Sequence, residues 1–482
     1  MTRRILQGAL ALVMLLYALT SQAALAQPER LTPLSLKKFG AVGDNSTDDT
    51  AALQLAFTSA KGRCLDGGGQ TYRVRGTLRA ADDFCLTNTR LRQDVEPFDT
   101  TAMIRGVCPP ETDPSVVKSC GDPPILPGVS HKLSSYLSTR TLLIRPEASQ
   151  APIAVTLRKV SVDRGNDPSS GSRSDAAGIW IGKAKKVDLE DVEVTGAGKG
   201  FGLIIVESNN IRANRLWLHD MVWAPYTGDT TLTFEGVRAH GWNAAPIREF
   251  RQKGQDKVKA DGFYGMRVQE QLTCIMILNS HDIILTKTRV KGCLARFSEG
   301  DIPWQADGIA VGQSTSNIRM FETTISDTWE AIDIVGSGTG VSSVTIDNAR
   351  ITNSFGYGIK WGHSLEDAKL TNSTISLSGL AGVVIYGSVK TALLRNVEID
   401  KVGTIRLGKT MHRAWLQERA GVLIEPGSSP ETYPIGVSLN EVFVNGGENC
   451  RFGLLALSPT RLPTDGVRAL NCDQEKNAQA EP

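Results

Sequence analysis

The chain has 482 residues, 41% of them apolar and 6% aromatic, with 47 glycines and 8 cysteines. Its 53 Lys and Arg against 51 Asp and Glu leave it nearly neutral. Bulk charge therefore gives no support to nucleic-acid binding, and any site for a polyanion must be a local basic patch. A chain this long also exceeds one ordinary compact core, so several domains or a repeat architecture are expected.

In chain order, Arg3 and Arg4 precede an apolar run from Ile5 to Leu19 and small residues ending Ala24-Leu25-Ala26. This is the pattern of a secretory signal peptide over residues 1–26, and the run is short for a membrane anchor. No later stretch is long and apolar enough to span a bilayer, so a periplasmic or secreted protein without a transmembrane segment after cleavage is expected. Losing Arg3 and Arg4 brings Lys and Arg level with Asp and Glu. Export to an oxidising compartment allows all the cysteines to pair.

The next segment, Lys38 to Phe57, reads KFGAVGDNSTDDTAALQLAF. A strand-like piece runs into Gly40 and Gly43, and Asp48 and Asp49 then cap a helix with apolar positions at Ala52, Leu55 and Ala56. Residues 27–92 are expected to form an N-terminal cap and first coils, residues 93–150 a Pro-rich loop excursion, residues 151–475 the main repeat, and residues 476–482 a disordered polar tail.

The repeat is a pattern of apolar, any, apolar, two polar or small residues, apolar, any, apolar. Copies begin at Val155, Val187, Ile211, Leu232, Ile283, Ile318, Val344, Ala368, Ala392 and Val437. Many neighbours are 21 to 26 residues apart, and gaps of 51 and 45 are near twice that spacing. A period of two interrupted by a corner gives two short strands and a sharp bend per copy. Asn348, Asn372 and Asn396 share the corner position, where Asn tolerates a left-handed backbone and stacked amides can form a ladder. A third strand recurs between copies, as in GIAVGQ at 308, AIDIVG at 331, GIKWGH at 358 and GVVIYG at 382. Three strands per turn describe an all-β parallel β-helix with a short N-terminal capping helix, which covers strand edges that would otherwise invite aggregation. Residues Ala244 to Ala260 form a second, charged excursion.

The opening segment, with GGGQTYRVRGTL at Gly67 to Leu78, resembles the N-terminal signature of pectate-lyase-like right-handed β-helix proteins, the superfamily that includes polygalacturonases, polysaccharide lyases and epimerases. A scaffold shared by many chemistries does not specify the reaction. The coil period suggests bonds Cys64–Cys85, Cys274–Cys293 and Cys450–Cys472 between adjacent rungs, and Cys108–Cys120 would close the proline-rich loop.

Alternation along the third strands sends Ala310, Asp333 and Lys360 outward in one column, beside the columns Asp307, Glu330, Tyr357 and Gln313, Gly336, His363. Stacked carboxylates split their pKa values as an acid–base pair requires, and Lys360 and His363 could hold an acidic sugar. Polygalacturonases show Asn-Thr-Asp-Gly, Gly-Asp-Asp, Gly-His-Gly and Arg-Ile-Lys. By that resemblance Asp307 in QADGI matches the first Asp and Asp327 in SDTWEAI the second, while Thr328 replaces the third and GVVIYG lacks the Arg and Lys. Catalytic candidates are therefore Asp307, Asp327, Glu330, Asp333 and Lys360, and substrate-binding candidates Trp304, Tyr357, His363 and Tyr386. Calcium at Asp307, Asp327 and Glu330 is left open, as is the oligomeric state, and no other cofactor is implied. His219 and His281, at strand ends, read as turn residues. The expected function is an exported enzyme, a glycoside hydrolase or a polysaccharide lyase or epimerase, acting on an acidic glycan. The alternative is a non-catalytic glycan-binding protein associated with polysaccharide synthesis or export.

Overall fold

The computed structural model describes residues 32–93, 140–147, 149–165, 177–196, 200–223, 272–295, 306–336, 340–404, 419–426, 433–457, 466–473 and 478–479. The signal peptide, Cys108, Cys120, Trp304, the Leu232 copy and the 244–260 excursion lie outside them.

Strand pairing is parallel throughout and joins each coil to the next, with 20 strands in one sheet and 12 in another among the described residues. The larger sheet holds the two strands flanking each corner, and the smaller sheet the third strand of each coil. Inward-facing Val, Ile and Leu fill the interior as one continuous core from Leu36 to Ala456, including Ile309, Val311, Ile332, Ile334, Ile359 and Trp361. No helix among the described residues is long and apolar enough to cross a membrane.

The register corrects the coil count. Ile211 pairs directly with Ile283, and Ala392 with Val437. Ile211 and Ile283, and Ala392 and Val437, therefore stand one rung apart, not at the larger separations that the spacing suggests. Sequence spacing counts residues, whereas pairing sees only those that return to the coil. The strand Phe84–Gln93 adds a copy that the pattern missed, pairing with Ile153–Asp163. Ala478 and Gln479, in the tail expected to be disordered, pair with Leu455 and Ala456.

The corner residues are left-handed in coil after coil, from Lys159 and Asp191 through Asn348, Asn372 and Asn396 to Glu441, with φ between 50° and 57°. Lys and Glu carry no special tolerance for this conformation, whereas Asp, like Asn, does. Closure of the stacked coil imposes it, and asparagine eases it. The amide ladder runs from Asn396 to Asn372 at 2.9 Å and then to the Asp347 carboxylate at 2.8 Å, rather than to Asn348.

The helix Thr50–Ser59 buries Leu53, Ala56 and Phe57, while Leu55, expected inward, is 54% exposed. Asp48 accepts from the Thr50 N–H, but Asp49 turns away from the helix and accepts from the Val42 and Gly43 N–H groups. The Gln54 carboxamide both donates to the Arg79 carbonyl and accepts from the Arg79 N–H, each at 2.9 Å. Arg79 lies in the strand Leu78–Ala80, at the end of the smaller sheet. One side chain thus replaces the missing neighbour strand, which is how the helix caps the coil.

Cys64–Cys85 joins register partners on adjacent rungs, and Cys450–Cys472 staples the last coil. Cys274–Cys293 departs from the expected arrangement: Cys274 lies in a strand of the smaller sheet and Cys293 in a strand of the larger one, within one turn of chain, so the bond crosses the interior.

Candidate active site

The smaller sheet presents an outer column in strict register: Trp180, Ile204, Met276, Ala310, Asp333, Lys360, Val384, Leu423 and Leu455. Only the middle of this column is charged. Ile204 with Phe201 forms one apolar cluster on the sheet's outside, and Val384, Leu423, Phe452 and Leu455 form another. Asp333 and Lys360 therefore sit between two dry flanks.

Asp307 pairs with Glu330 one rung on. Ala331 and Ile332 both enter the core, which breaks the strand's alternation and brings Glu330 out beside Asp333. One carboxylate oxygen from each of Asp307, Glu330 and Asp333 lies within 4.8 Å of the others. The Lys360 ammonium donates to both Glu330 oxygens at 3.1 and 3.2 Å and stands 3.5 Å from Asp333. Alternation implied solvated side chains here. Asp307, Glu330 and Asp333 are instead only 3%, 4% and 7% exposed. A buried charge cluster is costly unless paired, and such clusters concentrate at functional sites.

Tyr386 pairs with Gly362 one rung below, and its ring occupies the space a side chain there would need: a Cβ on Gly362 would lie 2.0 Å from the ring. Glycine at this position lets the ring lie back, with its centroid 5.9 Å from the Lys360 ammonium and an edge-on contact to His363 at 4.7 Å. Tyr357 is half-buried against the outer apolar cluster. Asp327 is placed elsewhere. It occupies a left-handed position in the larger sheet, and its carboxylate accepts from Asn353 at 2.6 Å and Ser326 at 3.0 Å. Letter matching selected Asp327 as the second acid, whereas strand pairing puts Glu330 opposite Asp307. Thr328 is fully buried.

Burial is the main cause that pushes the Glu330 carboxyl up to about 8, with Asp333 adding to it and Lys360 opposing. Burial works to lower Lys360, but Glu330 and Asp333 outweigh it and hold the amine above the ordinary lysine range. These two tendencies compete, because a firmly cationic Lys360 favours an ionised Glu330. Burial and the neighbouring Asp333 push the Glu330 carboxyl toward its protonated form, and the Lys360 ammonium opposes them. Burial also raises the Tyr386 phenol to about 12.

The three carboxylates lie close enough for a metal, but Lys360 already fills the cation position among them and Asp327 is not in the group. Nothing in the sequence announced the burial, since it depends on the packing of neighbouring coils.

A model of the right-handed β-helix region matches residues 253–429. No curated protein matches the chain in sequence. Among solved structures, a family 28 exopolygalacturonase from Yersinia enterocolitica is similar over 94% of this chain and 77% of its own, at 12% identity and a TM-score of 0.49. An endo-xylogalacturonan hydrolase from Aspergillus tubingensis covers 92% and 98%, at 10% identity and TM-score 0.48. PfbA, a surface adhesin of Streptococcus pneumoniae, covers 88% and 87%, at 11% identity and TM-score 0.47. Likenesses this low assign no activity. The coil pairing and the matched model identify a right-handed parallel β-helix, the architecture of the superfamily that the opening segment resembles.

Proposed function

We propose that this right-handed parallel β-helix is a polysaccharide-active enzyme that hydrolyses an acidic glycan, with Glu330 as general acid. The observation that carries the reading is the geometry of a buried Glu330 carboxyl hydrogen-bonded to Lys360 beside Asp307 and Asp333, where burial pushes that carboxyl up to about 8. A carboxylic acid kept protonated near neutral pH can protonate a glycosidic oxygen as the bond breaks. Asp333 or Asp307 supplies the second carboxyl group, and Lys360 holds a uronate carboxylate. Oxygens within 4.8 Å are nearer to the carboxyl spacing of about 5–5.5 Å of a nucleophile–acid pair than to the wider gap that admits a water, so the reading includes retention of anomeric configuration. A lyase route through Lys360 as base is disfavoured, because its neighbours hold it cationic.

The test is incubation of the exported protein with 1,4-linked polyuronates, following reducing ends and ultraviolet absorbance together. New reducing ends without unsaturated products, abolished in Glu330→Gln, are expected; unsaturated products would sink the hydrolase. A second reading, a non-catalytic glycan binder, draws on the buried Thr328 that stands where the polygalacturonase pattern has its acid. Binding with no product of either kind would select it. Export rests on the leader pattern and on the three disulfides.

A further inference from the structure

A second concave surface lies on the larger sheet, on a different face of the coil from the carboxylate cluster. It is a groove of about 610 Å³ at the corner between the two strands of successive coils, lined among others by Arg215, Trp217, Lys287, Arg289, Glu322 and Arg350. Strand register stacks its floor as Glu193, Trp217, Arg289, Thr324, Arg350, Thr374 and Glu398. The corner column beside it carries Arg215, Lys287 and Glu322.

These cations are not equivalent. Arg215 is committed to Asp191 and Glu190, at 2.8 and 3.0 Å. Lys287, Arg289 and Arg350 are exposed and make no side-chain hydrogen bond or ion pair with the described residues. With Asp191 tied to Arg215, Glu322 is the one acidic residue left facing them in the lining. Trp217 is 43% exposed, although it is held in place: its ring stacks on His219 at 3.9 Å, and His219 is fixed between Glu193 at 3.0 Å and Asp220 at 2.7 Å. A strand residue that leaves a large aromatic face in solvent, and fastens it with a buttressed imidazole, offers a rigid platform beside uncompensated guanidiniums.

We propose that this groove binds a chain of 1,4-linked uronic acids lying along the coil axis, at a site separate from the Glu330 cluster. Rungs rise by about 4.8 Å, comparable with the advance of one pyranose in an extended chain. Sugar and rung therefore stay in step. Arg289 and Arg350 are two rungs apart, matching carboxylates that emerge on the same side at every second sugar of a two-fold chain. Guanidinium suits a planar carboxylate through paired hydrogen bonds, and Trp217, one rung before Arg289, stacks on the preceding ring. Glu193 and Glu398 bound the column and repel a polyanion beyond it. The inference goes beyond the catalytic reading and does not require turnover.

The experiment is calorimetric titration of the full chain with oligogalacturonate and oligomannuronate, in wild type, R289Q/R350Q, W217A and W217F, with thermal midpoints checking the fold. The expected result is affinity weakened about tenfold or more per guanidinium lost, a flatter salt dependence in R289Q/R350Q, weakening in W217A, and near-native binding in W217F. Carboxyl-reduced oligomers should bind no better to wild type than to R289Q/R350Q. Unchanged affinity in R289Q/R350Q overturns the proposal, as does equal binding of carboxyl-reduced oligomers or equal competition by single-stranded DNA, which would indicate unspecific polyanion attraction. Binding that depends on Trp217 and Arg289 in a protein that releases no reducing ends keeps this inference and removes the catalytic one. Turnover without such dependence does the reverse.

Discussion

At the scale of single residues, Glu330 and Lys360 differ from the exposed ladder that their strand positions suggest. Exposed charges can be exchanged with little effect on stability, but these groups are buried, so the two substitutions should separate. Glu330→Gln keeps the shape and cannot ionise, so burial no longer disfavours a charged form at this position. It should lower turnover by about 10²–10⁴-fold while leaving the thermal midpoint unchanged or higher. Lys360→Met strands the acids without their cation and should cost roughly 3–5 kcal/mol, read by chemical denaturation. The pH dependence has a definite sign. The folded-state pKa of Glu330 lies above its ordinary value, moving from 4.5 to about 8, so the folded state binds the extra proton. Its contribution to stability is complete below the lower value and is lost as pH rises through the upper one. Wild-type midpoints measured from pH 5 to 9 should fall more steeply than those of Glu330→Gln. Parallel slopes would place the proton elsewhere.

At the scale of the element, the site depends on how one rung sits on the next. Gly362 makes room for the Tyr386 ring of the following strand. Gly362→Ala must push that ring away from Lys360, at the cost of about 1–3 kcal/mol typical of overpacking. It should reduce turnover to the level of Tyr386→Ala, whereas a fall in the midpoint with full activity would show that the ring has no role. The corner offers a second test. Asn372 combines φ of 50° with two ladder hydrogen bonds. Asn372→Ala should therefore destabilise more than Asn372→Gly, since glycine recovers the backbone conformation but not the bonds. The two-strand repeat, its corner and its third strand could be read from the chain because each is a local pattern of period two. The helix face was misread because one short helix, with a single turn of contact, has too few residues to define its phase.

At the scale of the molecule, a coil contacts mainly its neighbours, so damage should stay local. Cys450–Cys472 closes the far end. Replacing both cysteines with serine should speed hydrogen exchange in the last coils and leave turnover intact. Cys274–Cys293 crosses the interior of the coil just before Asp307, and its removal should cost about 2–5 kcal/mol and disturb the site as well. Equal effects of the two would argue against a solenoid that frays from its ends.

The sequence by itself determined the parallel β-helix, the left-handed corner, the pairing of Cys64 with Cys85 and of Cys450 with Cys472, and the column that places Asp333 next to Lys360. Each follows from a period or a separation of about one coil, which survives in a linear text. Only the tertiary structure decided that Ile211 meets Ile283 and Ala392 meets Val437, that Asp327 lies in the other sheet, away from the Asp307–Glu330 column, and that the acids are buried. Those facts depend on which strands pair across the long stretches between copies, and on apolar side chains of other rungs, Ile204 on one side and Val384, the register partner of Lys360, on the other. Trp217 and Arg289 make the same point. They are 72 positions apart in the chain and become neighbours because strand pairing sets them on successive rungs.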